Sequence, residues 1–363
     1  MVQLVLNRRC ARSWYWVVVW AVCFLLTPLW ADKHPKSKPA EAPPELLLND
    51  GRKLVWEASF ASDRDVKKKP GFWTKVINAV AGEPDRYFMI RPYSVAVDSH
   101  GRAIVTDPGV RGIHIFDFEQ HKYKFIDHKN EKEPLRSPQC VAVDAADNIY
   151  VTDSETGRIF VFEANGKFKR TIGSLKGGEG LFKRPTGIAV DSVSQRIYVS
   201  DTLRDEIFVL DMSGHVVQTI GHRGAEPSEL NFPTELRIEG QHLVVVDAMN
   251  FRVQVMDLSG TVQYTVGKLG EESGEMFRPK GIGFDSEGHL YVVDGLRSIV
   301  QVFNQEGQLL YYFGQKGTGF GDFQLPSGLF IDRRDRVFVV DSFNRRVQMF
   351  QYFGIGKPVK AGE

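Results

Sequence analysis

Pro279-Lys280-Gly281-Ile282-Gly283-Phe284-Asp285, then Leu290-Tyr291-Val292-Val293-Asp294, then Ile299-Val300-Gln301-Val302-Phe303, is the stretch that decides the fold. Each run is short, β-branched or aromatic, and closed by Asp or a polar turn, which reads as strand, turn, strand. A fourth run, Gln308 to Phe313, precedes Gly314 and a Gly-rich link. The apolar residues do not recur at the 3.6-residue spacing of a helical solenoid.

The pattern recurs six times. Its copies begin at Pro92, Pro138, Pro185, Pro233, Pro279 and Pro326, which are 46, 47, 48, 46 and 47 residues apart. Four strands at about this period describe the blade of a β-propeller, so an all-β, six-bladed propeller with four-stranded blades is expected. The sixth copy supplies three strands and then the chain nearly ends. A spare strand-like segment, Lys53 to Phe60, precedes the first copy. It is expected to become the fourth strand of the last blade, since closing the ring removes two open sheet edges. The propeller then spans 53–353, followed by a tail at 354–363.

Three other segments lie outside the repeat. Residues 1–31 open with Arg8, Arg9 and Arg12 and continue through an uncharged apolar run. That is the pattern of an export signal, and the run is also just long enough to be a retained anchor. A helix buried within the fold is the third reading. Either of the first two places the propeller outside the cytoplasm, periplasmic or secreted. Residues 32–52, rich in Lys, Pro and Ala, read as a tether. Phe72, Trp73, Val76, Ile77 and Val80 have helical spacing. They predict a short helix over about 72–80, serving as packing or as a docking element.

The formal net charge of +1 supplies no field that would draw nucleic acid. Two of the three cysteines, Cys10 and Cys23, fall in the N-terminal segment. Cys140 is therefore left without an internal disulfide partner, and its apolar run makes it a small core residue.

The motif resembles the NHL repeat of six-bladed propellers. The matching residues are Arg184-Pro185-Thr186-Gly187-Ile188-Ala189-Val190-Asp191 with Ile197-Tyr198-Val199-Ser200-Asp201, and likewise Asp247-Ala248-Met249-Asn250-Phe251-Arg252-Val253-Gln254-Val255 and Asp341 to Phe350. The resemblance covers about 53–353. It implies the architecture, and it places two rings of acids. One ring ends the second strands: Asp107, Asp153, Asp201, Asp247, Asp294 and Asp341. The other ends the first strands: Asp98, Asp144, Asp191, Asp285 and Asp332, with Glu239 in the fourth blade. Six carboxylates evoke a metal cage, but Asp also caps turns, and a residue present in every blade serves a need of every blade.

Function is expected where the blades differ. The residues after each leading Pro should face the mouth of the central channel: Tyr93, Gln139, Thr186, Thr234, Lys280 and Ser327. Glu235 stands where three other blades have Gly187, Gly281 and Gly328, and puts a carboxylate beside the channel. Arg91, Arg184 and Arg278 precede Pro, and Arg111, Arg204, Arg297 and Arg345 follow the second strands. A face built from these would suit carboxylates or an extended peptide. The plain alternative is a solvated surface with Arg stems packed over their neighbours.

Enzymes of similar shape, the peptide-amidating and streptogramin lyases, use His near the channel. None of the six positions after Pro is His here. The Asn that gluconolactonase-like propellers place around a divalent metal is missing from the matching positions. The Gly-rich links lack the strand-to-helix setting of a phosphate loop. The sequence therefore reads as a non-catalytic, monomeric extracytoplasmic module that binds protein, peptide or glycan without a cofactor. It touches a membrane only if its N-terminal segment is uncleaved. The alternative is a hydrolase or lyase with a divalent metal in the channel and Glu235 as ligand or base.

Overall fold

A computed structural model describes residues 44–48, 51–68, 87–127 and 134–354. The N-terminal segment, most of the predicted tether, the helix expected over 72–80 and the last nine residues lie outside them. No helix among the described residues is long and apolar enough to cross a membrane.

Six antiparallel sheets follow one another. The third blade shows the plan, with strands Pro185–Asp191, Arg196–Asp201, Glu206–Asp211 and Val216–Ile220 in that order from inside to outside. The first two strands of each blade are mostly buried on both faces and the fourth is more exposed, as in Phe168–Ile172 and Val216–Ile220. Apolar clusters sit between blades, not within them. Cys140, Tyr150 and Val161 of the second blade pack with Ile188, Val199 and Phe208 of the third.

The ring closes as the repeat requires. Lys53–Phe60 pairs antiparallel with Arg346–Phe353, and Trp56 Nε1 donates to Gln348 Oε1 at 2.9 Å. The structure adds a fifth strand to that blade. Glu45–Leu47 pairs with Lys53–Val55, inside the stretch expected to be a tether. Leu46 packs on the last blade's cluster, so apolar contact prevails over the Pro-rich composition upstream.

Neighbouring blades are also pinned by hydroxyls. Thr106 Oγ1 donates to the Gln139 carbonyl, Thr152 Oγ1 to that of Thr186 and Ser200 Oγ to that of Thr234. Gly187 permits this approach, because a Cβ there would lie 2.0 Å from the Thr234 carbonyl oxygen. The Gly-rich links are blade connections. Leu230, Met276 and Phe323, all fully buried, fold back on His222, Lys268 and Gln315 through backbone bonds.

Candidate functional site

The acids ending the second strands organise one end of the molecule. All six are fully buried. Asp153 accepts the N–H groups of Arg136 and Ser137 from the link before the blade, and of Glu155 and Thr156 from the turn after its own strand, at 2.7–3.1 Å. Asp294 does the same for Phe277, Arg278, Leu296 and Arg297. Each carboxylate thus clamps a pre-Pro segment to a turn, which accounts for its charge without a metal. Side chains from the third strands assist. Gln254 Nε2 donates to Asp247 and Gln348 Nε2 to Asp341, while His114 stands 3.6 Å from Asp107. Burial pushes Asp107 up, but His114 and the N–H groups of Ile90 and Arg91 outweigh it and hold the carboxyl below its usual range. The aspartates ending the first strands cap turns at the opposite end. Asp98, for example, accepts the N–H of His100 and of Arg102.

The same clamps bring the predicted arginines to one end. Arg91, Arg184 and Arg278 donate their backbone N–H to Asp107, Asp201 and Asp294, whose strands run into the turns holding Arg111, Arg204 and Arg297. Arg91, Arg111, Arg184, Arg278 and Arg345 are exposed, and none has an ion pair among the described residues. The Arg184 guanidinium lies over the Phe232 ring at 5.7 Å. Arg204 pairs with Asp201 at 3.6 Å, and Arg297 donates to the carbonyls of Glu272 and Glu275. Arg136, which sequence reasoning did not single out, joins this end but is paired with Glu155.

The residues after Pro divide into two groups. Tyr93, Thr234, Lys280 and Ser327 line a cavity of about 10 Å³ together with Glu235, which is room for about one water. Thr186 and Gln139 do not line it: Thr186 is bonded to Thr202, and Gln139 turns back on Ser137. Glu235 is only 4% exposed. It reaches across the axis, where Cys140 Sγ donates to its Oε2 at 3.1 Å and Arg237 Nη2 lies 3.2 Å from its Oε1. Arg237 in turn donates to the carbonyls of Ile282, Leu329 and Val95, and its guanidinium covers the Phe330 ring. Blade four therefore sends one carboxylate and one guanidinium to blades two, five, six and one, and the channel is plugged. Burial pushes Glu235 up against the pull of Arg237, and it pushes the Cys140 thiol well up. Lys280 is lowered to about 8 by burial and by Arg278.

Known proteins of this kind share the geometry. The NHL repeat family matches residues 135–162, and a family described as a 6-bladed beta-propeller matches residues 188–269. This chain is a six-bladed propeller that carries an NHL repeat. Among solved structures, an auxiliary nutrient binding protein from Bacteroides thetaiotaomicron is 14% identical with a TM-score of 0.57, over 73% of this chain and 69% of that one. A virginiamycin B lyase from Staphylococcus aureus is 12% identical with a TM-score of 0.52, over 72% and 94%. At such identities the likeness is one of fold alone. No curated protein matches the chain.

At the channel the propeller departs from the sequence-based picture at Glu235 as well as at Thr186 and Gln139. Glu235 does not stand free beside an open channel. It is buried between a guanidinium, a thiol and the Lys280 ammonium, a setting that opposes a divalent cation. Arg237, the other half of the plug, was missed. Its signal was available, since Ala96, Ala142, Ala189, Gly283 and Phe330 fill the matching positions. One group of three side chains with metal-ligating atoms, Asp98, His100 and Asp147, occurs among the described residues, at the end away from the arginines. Ser99 already bonds Asp147 through both its N–H and its hydroxyl, and Arg102 holds Asp98, so hydrogen bonds within the fold explain it.

Proposed function

We propose that this NHL-type propeller is a non-catalytic module that seats a protein, peptide or glycan on the arginine-bearing end. The observation that carries this reading is the group of five exposed guanidiniums, Arg91, Arg111, Arg184, Arg278 and Arg345, without ion pairs among the described residues. Planar guanidinium forks match carboxylates in pairs of hydrogen bonds. The nutrient-binding protein of the same shape supports the reading by analogy of fold only. The basic and apolar start of the sequence favours an extracytoplasmic site of action, with that segment cleaved or kept as an anchor. The near-neutral chain is not suited to nucleic acid.

A hydrolase or lyase acting in the channel is disfavoured by the plug, because the space beneath the arginines holds about one water. The test replaces Arg184, Arg278 and Arg345 together with Glu. Capture of a partner from the native envelope should be lost while the melting temperature changes little. A rise in melting temperature with divalent metal that disappears in Glu235→Gln would favour the enzyme instead.

A further inference from the structure

Four consecutive blades present a large apolar side chain at the same turn position, two residues after the buried acid: Leu203, Met249, Leu296 and Phe343. They are 52%, 47%, 55% and 56% exposed. The turn does not require them, since the first two blades carry Gly109 and Glu155 at that position. Single exposed apolar residues are ordinary, but an arc repeated at one register position is not scatter. The arc is interleaved with Arg184 and Arg204 in the third blade, Arg278 and Arg297 in the fifth, and Arg345 in the sixth. Asp205, the one acid on the four turns, is already engaged and accepts the Phe232 N–H.

We propose that this arc is a docking surface for an extended, acidic peptide segment of a partner protein. Its carboxylates would meet the guanidiniums and its apolar side chains would cover Leu203, Met249, Leu296 and Phe343. The proposal rests on the reading that this end is the binding surface, and it names the partner's chemistry. Four turn tips from four blades are met together by an extended chain, which advances about 3.3 Å per residue, and not by a small molecule. Unpaired guanidinium charge selects acidic over basic segments, and the apolar tips select against purely polar ones.

The test uses defined probes and the purified protein. One synthetic peptide alternates Glu with Leu and Phe, a second alternates Glu with Ser, and a third replaces Glu with Lys. Vesicles of phosphatidylglycerol form a fourth probe. Each is titrated against the wild type, against L203S/M249S/L296S/F343S, and against R184E/R278E/R345E. The expected result is that the Glu/apolar peptide binds about tenfold or more tighter than the Glu/Ser peptide, a gain of about 1.4 kcal/mol. The fourfold Ser variant should erase that difference, and the Lys peptide should not bind. Equal binding of the two acidic peptides, or an unaffected Ser variant, overturns the proposal but leaves an arginine-based binding face. Acidic peptides that bind the wild type no better than R184E/R278E/R345E overturn both. Vesicle binding stronger than peptide binding and lost in the Ser variant makes the arc a membrane contact, which also overturns the proposal.

Discussion

Cys140 of the second blade and Glu235 of the fourth meet across the propeller axis, the thiol donating to the carboxylate at 3.1 Å. Neither residue is near the other in the chain, and the contact exists because the blades curl around one axis. Removing the carboxylate leaves the mostly buried Arg237 without its counter-charge. Glu235→Ala should therefore cost about 3 kcal/mol, at the low end for a broken buried pair because Arg237 keeps its carbonyl bonds. Cys140→Ala should cost about 1–2 kcal/mol. Urea unfolding measures both, and a cost below about 0.5 kcal/mol for Glu235→Ala would show that the plug is not structural.

The same burial governs Cys140 chemistry. Its thiol is pushed well up by burial and by Glu235, so it stays protonated near neutral pH. Iodoacetamide should label it only after unfolding. Labelling of the native protein at the rate of a free thiol would contradict the buried cross-axis contact.

Lys280 gives a pH dependence of definite sign. Its folded value of about 8 lies below its ordinary 10.5, because burial and Arg278 disfavour the ammonium. Between these values the unfolded chain binds more protons than the folded one, so stability contributed by this residue rises with pH through that window. Wild type should gain on the order of 2 kcal/mol relative to Lys280→Met from pH 8 to 10.5. A parallel pair of stability curves would remove Lys280 from the buried cluster.

The acids of the two rings should differ in cost. Asp153 is buried and serves four backbone N–H groups, so Asp153→Ala should cost about 2–4 kcal/mol. Asp191 caps an exposed turn, and Asp191→Ala should cost about 1 kcal/mol or less. Thermal unfolding of the pair tests the assignment, and the reverse order would contradict it.

These contrasts show what a single sequence makes legible. Strand order and ring closure were readable because Pro233, Ile238 and Asp247 recur with their counterparts at a nearly fixed period. The direction of Glu235 was not, because it depends on which blades face each other across the axis. Arg237 escaped notice although it stands alone among small and apolar residues at its position. Leu203, Met249, Leu296 and Phe343 escaped because each looks like an ordinary turn residue until the six turns are aligned on their acids. Glu45–Leu47 was hidden by Pro-rich surroundings, and only pairing with Lys53–Val55 makes it a strand.

Ring closure carries its own prediction. Leu54 is buried in the last blade's cluster, and Leu54→Ala should cost about 2–4 kcal/mol. Deleting residues through Phe60 leaves Arg346–Phe353 as an open edge and should produce aggregates in light scattering. A monodisperse deletion protein of unchanged melting temperature would show that the ring does not need this strand.

Partners are expected at the arginine-bearing end and not at the opposite one. A photo-crosslinking residue placed at Leu203 samples the first, and one at Val193, which is 92% exposed in a turn at the other end, samples the second. In cells making each variant, covalent adducts are expected from position 203 and none from position 193. Adducts from position 193 alone would contradict the account.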